Sequence, residues 1–204
     1  MNYYKSISRK WKIFPFQYVT DSYNRTITTN LSGKFKLLFV GSLSRRKNVQ
    51  VAIRALIGLR DIEFSIIGSG KEEQSLKQMA NKHNLPVNFQ GMKPNNKIHT
   101  IMENYDALIL PSLYDGWGAV VNEAMTLGLF VIVSENCGAK MLIKDNKQGS
   151  VFKNNNADSL HIILDKCIKQ KNIIRSELQN RLLLNQTIQA PVVANYFTKC
   201  LTSL

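Results

Sequence analysis

Between Lys34 and Phe152, short apolar runs of strand length take turns with longer segments of helical spacing, and this alternation limits the fold more than any single residue does. The order reads strand 35–41, helix 47–58, strand 62–67, helix 71–83, strand 87–90, helix 94–104, strand 106–110, helix 118–127 and strand 129–134. Such a pattern predicts an α/β fold, a parallel sheet with helices on both faces. In the first helix Val49, Ala52, Ile53 and Leu56 fall at i, i+3, i+4 and i+7, which makes one buried face. Pro86, Pro94 and Pro111 sit at element edges, where a missing N–H is tolerated. Ser150-Val151-Phe152 predicts a short closing strand. Three helices are expected after it, near 156–170, 173–186 and 190–203, the last opened by Ala190-Pro191.

A chain of 204 residues holds one domain with a full core, or one domain with appendages. Residues 1–33 mix Tyr3, Tyr4, Trp11, Phe14, Phe16 and Tyr18 with Lys and Arg, without clear periodicity, and read as a linker or interdomain segment. The net charge is +13 and uneven. Residues 1–50 carry ten Lys and Arg against one acid, whereas residues 101–150 carry three against six. A basic first quarter fits nucleic acid, an anionic membrane surface met peripherally, or the acidic face of another domain. No recognised nucleic-acid module accompanies it, so nucleic acid is disfavoured. Cys137, Cys167 and Cys200 are odd in number and far apart, which gives neither a disulfide framework nor a zinc site and fits a reducing cytoplasm. No apolar run has the length of a membrane span, and the first residues lack the apolar stretch of a signal peptide.

The chemistry concentrates between Asp106 and Gly128. A buried strand runs into Gly116-Trp117-Gly118, a turn where backbone can approach a ligand, and then into a helix from Ala119. Free amides and the positive helix end there suit a phosphate. Asp115 lies before the helix and Glu123 inside it, eight positions apart. The helix rises roughly 7–8 Å from Gly118 to Glu123, so the acids flank the amides rather than meet. Glu123 sits among Val120, Val121, Ala124 and Met125, an apolar neighbourhood in which a charge needs a partner. Arg45-Arg46-Lys47, after the first strand, offers cations for paired phosphates. Gly68-Ser69-Gly70 begins like a dinucleotide fingerprint and fails at the third glycine. His83, His99 and His161 fall on predicted helix surfaces.

These stretches resemble the retaining glycosyltransferases of family 4, the group 1 transferases of GT-B fold. Asp115 and Glu123 match the family's Glu-x7-Glu signature, with Asp in the first place. Phe39 to Leu43 with Arg45 to Asn48 resembles its first strand and phosphate loop, Ile66 to Gly70 its next strand end, and Val87 to Gly91 the strand before its base-binding loop. Gly128 to Ser134 resembles the strand after the signature. The matching stretches keep the family's order and cover well over half of the chain.

The resemblance implies the C-terminal, Rossmann-like half of a GT-B enzyme: residues 34–189 as the nucleotide-sugar-binding domain, and a helix over 190–204 that would pack on an N-terminal domain supplied separately or missing. It implies Asp115 as the catalytic carboxylate on the donor sugar, Glu123 on the ribose, and Lys47 with Arg46 or Arg45 on the diphosphate. Gly41, Gly116, Trp117 and Gly118 would meet phosphate or sugar through backbone, and main-chain groups around Met92 the base. Ser42 stands where the family has an Arg, while Lys47 matches its Lys. No metal and no separate cofactor are implied, and the location implied is cytoplasmic. The expected activity is sugar transfer to a glycan or lipid-linked acceptor, with little catalysis by the isolated chain. The alternatives are a scaffold subunit that kept the fold and lost the chemistry, and an epimerase-like protein acting on the nucleotide sugar itself.

Overall fold

A computed structural model describes residues 33–185. The expected linker over 1–33, apart from Gly33, and the expected helix over 190–204 lie outside the described residues. The elements are β1 (Phe35–Val40), α1 (Val49–Ala55), β2 (Ile62–Ile67), α2 (Glu73–Lys82), β3 (Val87–Phe89), α3 (Asn95–Met102), β4 (Ala107–Leu110), α4 (Ala119–Thr126), β5 (Phe130–Ser134), β6 (Gly149–Phe152), α5 (Ala157–Lys169), α6 (Lys171–Ser176) and α7 (Leu178–Leu184). The six strands form one parallel sheet in the order β3-β2-β1-β4-β5-β6.

The period of two along each strand divides the core into two layers. Phe35, Leu37 and Phe39 of β1 face α1, α2 and α5, where Ile53, Leu76 and Leu160 cover them. Leu38 faces the other side with Leu108, Leu110 and Val131, under Ile98 and Met102 of α3 and Val121 and Met125 of α4. Each such large apolar side chain, fully buried, contributes on the order of 1.5–3 kcal/mol. Helix α5 shows the local signals clearly. The Asn156 side chain caps it by accepting from the Ser159 N–H at 2.8 Å, Asp158 sits in its first turn, and Lys166 and Lys169 sit in its last.

From β1 the chain crosses towards β2, and from the neighbouring β4 it crosses towards β5. The loops leaving these two strands therefore diverge and open a crevice at the C-terminal edge of the sheet. The opposite edge is closed by an ion pair. Arg175 of α6 donates from Nε and Nη2 to the two carboxylate oxygens of Asp106, at 2.8 and 2.9 Å, and the Lys36 N–H donates to the same carboxylate at 2.8 Å.

Two predicted helices come out differently. The helix expected at 47–58 begins at Val49, because Arg45–Lys47 forms a 3-10 turn and Asn48 takes a left-handed φ of 50°. The helix expected at 173–186 is two helices that meet at Glu177. Docking of α7 sets that bend: the Arg181 guanidinium donates to the Gly128 carbonyl at 2.7 Å and the Asn185 amide to the Met125 carbonyl at 2.8 Å. A second 3-10 turn, Gly138–Leu142, had no counterpart among the predicted elements. Among the described residues no helix is long and apolar enough to cross a membrane.

Candidate functional site

The crevice is built from backbone first. The loops after β1, β2 and β3 are stitched side by side: Gly41 N–H donates to Ile67 O, Leu43 N–H to Ser69 O, and Gly68 N–H to Gly91 O, at 2.9–3.0 Å. A methyl group at Gly68 would overlap the Gly41 carbonyl, and one at Gly70 the Leu43 carbonyl. Gly68 and Gly70 are thus required by loop-on-loop packing, and the Gly41 amide is already used within the protein. Met92 follows this stitched edge and is exposed.

The loop after β4 is held from both sides. Leu113 N–H donates to Arg46 O at 2.9 Å, and the Leu113 carbonyl accepts from the side chains of Asn136 and Asn154, each at 3.2 Å. Asn154 also accepts from Ser134 Oγ, and Asn48 donates to Asn155. Asparagines from the loops after β1, β5 and β6 thus lock the segment that carries Asp115. Nothing local in the sequence announces this layer. The Asn154-Asn155-Asn156 run signals a turn and a cap, and no more.

Asp115 and the β1 loop meet across the crevice. Lys47 Nζ lies 2.7 Å from Asp115 Oδ2, and Arg46 Nη1 lies 3.3 Å from the same oxygen and 3.1 Å from the Tyr114 carbonyl that it also binds. Burial pushes the Asp115 carboxyl pKa up. The Lys47 hydrogen bond and charge, the Arg46 charge and the Trp117 N–H outweigh it, so the net pKa lies below the usual aspartate value. Of the two arginines considered for the site, Arg46 reaches it. Arg45 is exposed beside a shallow crevice shared with Ser44, Gln50 and Glu72, and Ser42 is exposed.

Behind Asp115, Gly116, Trp117 and Gly118 lead into α4. Gly138 N–H donates to Asp115 O and Ala139 N–H to Trp117 O, so the second 3-10 turn braces this loop. Gly118 has φ 83°, and a methyl there would overlap Leu110, which leaves glycine as the fitting residue. Gly118, the N-cap of α4, brings no side chain to cap its first turn. The Trp117 indole donates to the buried Asn122 at 2.8 Å and packs on the core, so Trp117 contributes backbone to the loop and its ring to the interior. Cys137 lies beneath, its thiol pushed up to about 11 by burial and then by the Asp115 charge, which makes it inert at neutral pH.

Glu123 lies against α3. Its carboxylate is 3.9 Å from His99 Nε2 of α3, and burial raises its pKa above the usual glutamate value. His99 and His161 are therefore not surface residues as expected: both are partly buried, and His161 Nδ1 lies 2.9 Å from the Ala55 carbonyl. His83 is exposed. The described residues bring Lys47, Arg46, Asp115, the Gly116–Gly118 turn and the start of α4 together, with Glu123 one turn into that helix. Among them no cluster of His, Cys, Asp or Glu could hold a metal ion.

A doubly wound parallel sheet with helices on both faces, and with Lys47, Arg46 and the start of α4 at its switch point, defines a Rossmann-like α/β protein. The chain belongs to the group 1 glycosyl transferases, whose family model matches residues 24–184. It is 31% identical to the amylovoran biosynthesis glycosyltransferase AmsK of Erwinia amylovora over 156 residues, 71% of this chain and 38% of that protein. It is 26% identical to the putative colanic acid biosynthesis glycosyltransferase WcaL of Escherichia coli over 137 residues, 61% of this chain and 34% of that protein. The chain thus spans less than two fifths of the length of these curated relatives. Among solved structures, Anabaena Alr3699/HepE in complex with UDP superposes with a TM-score of 0.73 at 21% identity, covering 85% of this chain and 50% of that one. The catalytic domain of cholesterol-α-glucosyltransferase from Helicobacter pylori gives 0.67 at 21%, covering 74% and 96%. These likenesses bear on the fold.

Proposed function

We propose that residues 34–189 form the donor-binding half of a retaining, family-4-like glycosyltransferase that takes a sugar from a nucleotide diphosphate and passes it to a glycan or lipid-linked acceptor. The observation that carries this reading is the meeting of Lys47, Arg46 and Asp115 in front of the uncapped start of α4. The two cations and the α4 amides take the diphosphate and stabilise its charge as it departs, which gives the chemistry its electrostatic driving term without a metal. Asp115 binds hydroxyls of the donor sugar near the reacting carbon. Glu123 binds the ribose, and its apolar setting favours a partner that supplies hydroxyl donors. Backbone of Gly116 to Gly118 lines the phosphate and sugar, and main-chain groups near Met92 read the base.

The acceptor side belongs to a domain outside residues 34–189, supplied by the same polypeptide or by a separate chain. The relatives carry the names of amylovoran and colanic acid biosynthesis glycosyltransferases, and on that likeness we assign this protein to envelope or polysaccharide glycan synthesis, in the cytoplasm or at the inner face of the membrane. Calorimetric titration with UDP and GDP tests the reading. Glu123→Ala and Lys47→Ala should each weaken nucleotide binding, and unchanged affinity in both variants would overturn it. A scaffold role is favoured instead if the folded protein binds neither nucleotide at millimolar concentration and co-purifies with a partner. The exposed Ser42 in place of a phosphate-binding Arg is the observation on that side.

A further inference from the structure

We propose that Asp115 is a built-in anion, held on the two cations that receive the donor's diphosphate, and that it thereby selects against bare diphosphates in favour of sugar-bearing ones. This rests on the donor-site reading above for the nature of the ligand, and on geometry for the contacts of the carboxylate. Lys47 Nζ and Arg46 Nη1 both converge on one oxygen, Asp115 Oδ2, at 2.7 and 3.3 Å, and the Trp117 N–H serves the same carboxylate. An ammonium and a guanidinium on one oxygen, with a backbone amide on the same carboxylate, are the kinds of donor that a phosphate group takes.

The carboxylate has little freedom to leave. Asp115 N–H is bonded to Asn136 O and the Asp115 carbonyl accepts from Gly138 N–H, while Arg46 holds the preceding carbonyl at Tyr114. The Asp side chain has only one methylene between this fixed backbone and the carboxylate. A diphosphate drawn to Lys47 and Arg46 therefore arrives beside a fixed negative charge rather than replacing it.

The consequence differs between ligands. The terminal phosphate of a nucleoside diphosphate carries one more negative charge than the same phosphate esterified to a sugar, and it has no hydroxyls to donate. Beside Asp115 the bare group is repelled, while the sugar ester loses that charge and offers hydroxyl donors to the carboxylate. Asp115 thus lowers affinity for the spent diphosphate relative to the loaded donor, which speeds release after transfer.

Calorimetric titrations of inorganic pyrophosphate, UDP, UDP-glucose, GDP and GDP-mannose into the wild type, Asp115→Asn and Asp115→Glu decide the matter, with the thermal transition of each variant confirming that it is folded. Asp115→Asn should bind pyrophosphate and the preferred nucleoside diphosphate about tenfold more tightly, and the corresponding nucleotide sugar no more tightly. Asp115→Glu, which keeps the charge, should keep the wild-type order. Equal or weaker binding of pyrophosphate by folded Asp115→Asn overturns the inference. If neither protein binds any nucleotide while Asp115→Asn gains pyrophosphate, the built-in anion stands and the nucleotide-sugar reading falls. If the wild type binds UDP or GDP and Asp115→Asn binds it no better, the donor reading stands and this inference falls.

Discussion

Strand β4 is preceded by one aspartate and followed by another, and the two do opposite things with the same chemistry. Asp106, at the N-terminal edge, gives each carboxylate oxygen to a separate nitrogen of Arg175 and takes a third bond from the Lys36 amide, in a pair whose side chains are only 12% and 9% exposed. Asp115, at the C-terminal edge, draws Lys47 and Arg46 onto a single oxygen, and the Arg46 side chain is 54% exposed. The first is a closed, bidentate lock that ties α6 to the start of β1 and β4. The second leaves cationic donors facing the crevice. An ion pair with matched donors holds a fold together, whereas one with surplus positive charge at an open edge is ready for an outside anion.

The comparison is broken most forcefully at the lock. Asp106→Ala leaves the Arg175 charge buried without its carboxylate, a change of about 3–5 kcal/mol, and should lower the melting temperature by roughly 10 °C while the nucleotide affinity of the folded fraction changes little. A thermal scan showing an unaltered midpoint would refute the structural role. Next in size, Lys47→Ala should weaken UDP or GDP binding by about ten- to a hundredfold, the scale of a charged hydrogen bond, with a smaller fall in melting temperature than Asp106→Ala because Arg46 still pairs with Asp115. If stability falls as steeply as for Asp106→Ala, the two aspartates are not functionally distinct.

The pH dependence separates the two motif acids more finely. Asp115 titrates below its unfolded-state value, so its contribution to stability is complete above about pH 4 and is lost as pH falls through the lowered folded pKa. Unfolding of Asp115→Asn should therefore require less urea than the wild type at pH 7, with the gap closing only under strong acid. Glu123 runs the other way, because burial raises its folded pKa and its ionisation opposes folding as pH rises above about 4. Glu123→Gln should be slightly more stable than the wild type at pH 7 and equal to it below about pH 4. This is the smallest of the expected effects, and a loss of stability at pH 7 would show that His99 stabilises the charged form.

Much of this molecule was readable along the chain because a parallel sheet buried on both faces demands apolar runs of strand length, and Leu37 to Val40, Ala107 to Leu110 and Phe130 to Val133 supply them. Lys47, Asp115 and the Gly116–Gly118 turn stood out through their spacing around that pattern. What did not stand out depends on contacts between distant segments. Arg181 sits among leucines in a helical stretch and is 1% exposed because it reaches Gly128 across 53 positions. It thereby places a positive charge just beyond the C-terminal end of α4, while Asn185 takes the carbonyl of Met125 in its last turn. The break at Glu177 carries no glycine or proline to announce it. The 3-10 turns at Arg45–Lys47 and Gly138–Leu142 likewise follow from the bonds to Leu113, Asp115 and Trp117 rather than from local preference.

The amino-acid sequence by itself determined the alternation of strands and helices, the two-sided core and the family, because burial periodicity and turn chemistry are local properties that each segment carries with it. Only the tertiary structure decided that the Asp115 carboxylate is held by Lys47 and Arg46, that Glu123 faces His99, and that the Gly68-Ser69-Gly70 glycines serve loop packing. Those outcomes turn on which loops the strand order brings side by side. Electrostatic partnership over a few ångströms is fixed by that adjacency and not by distance along the chain.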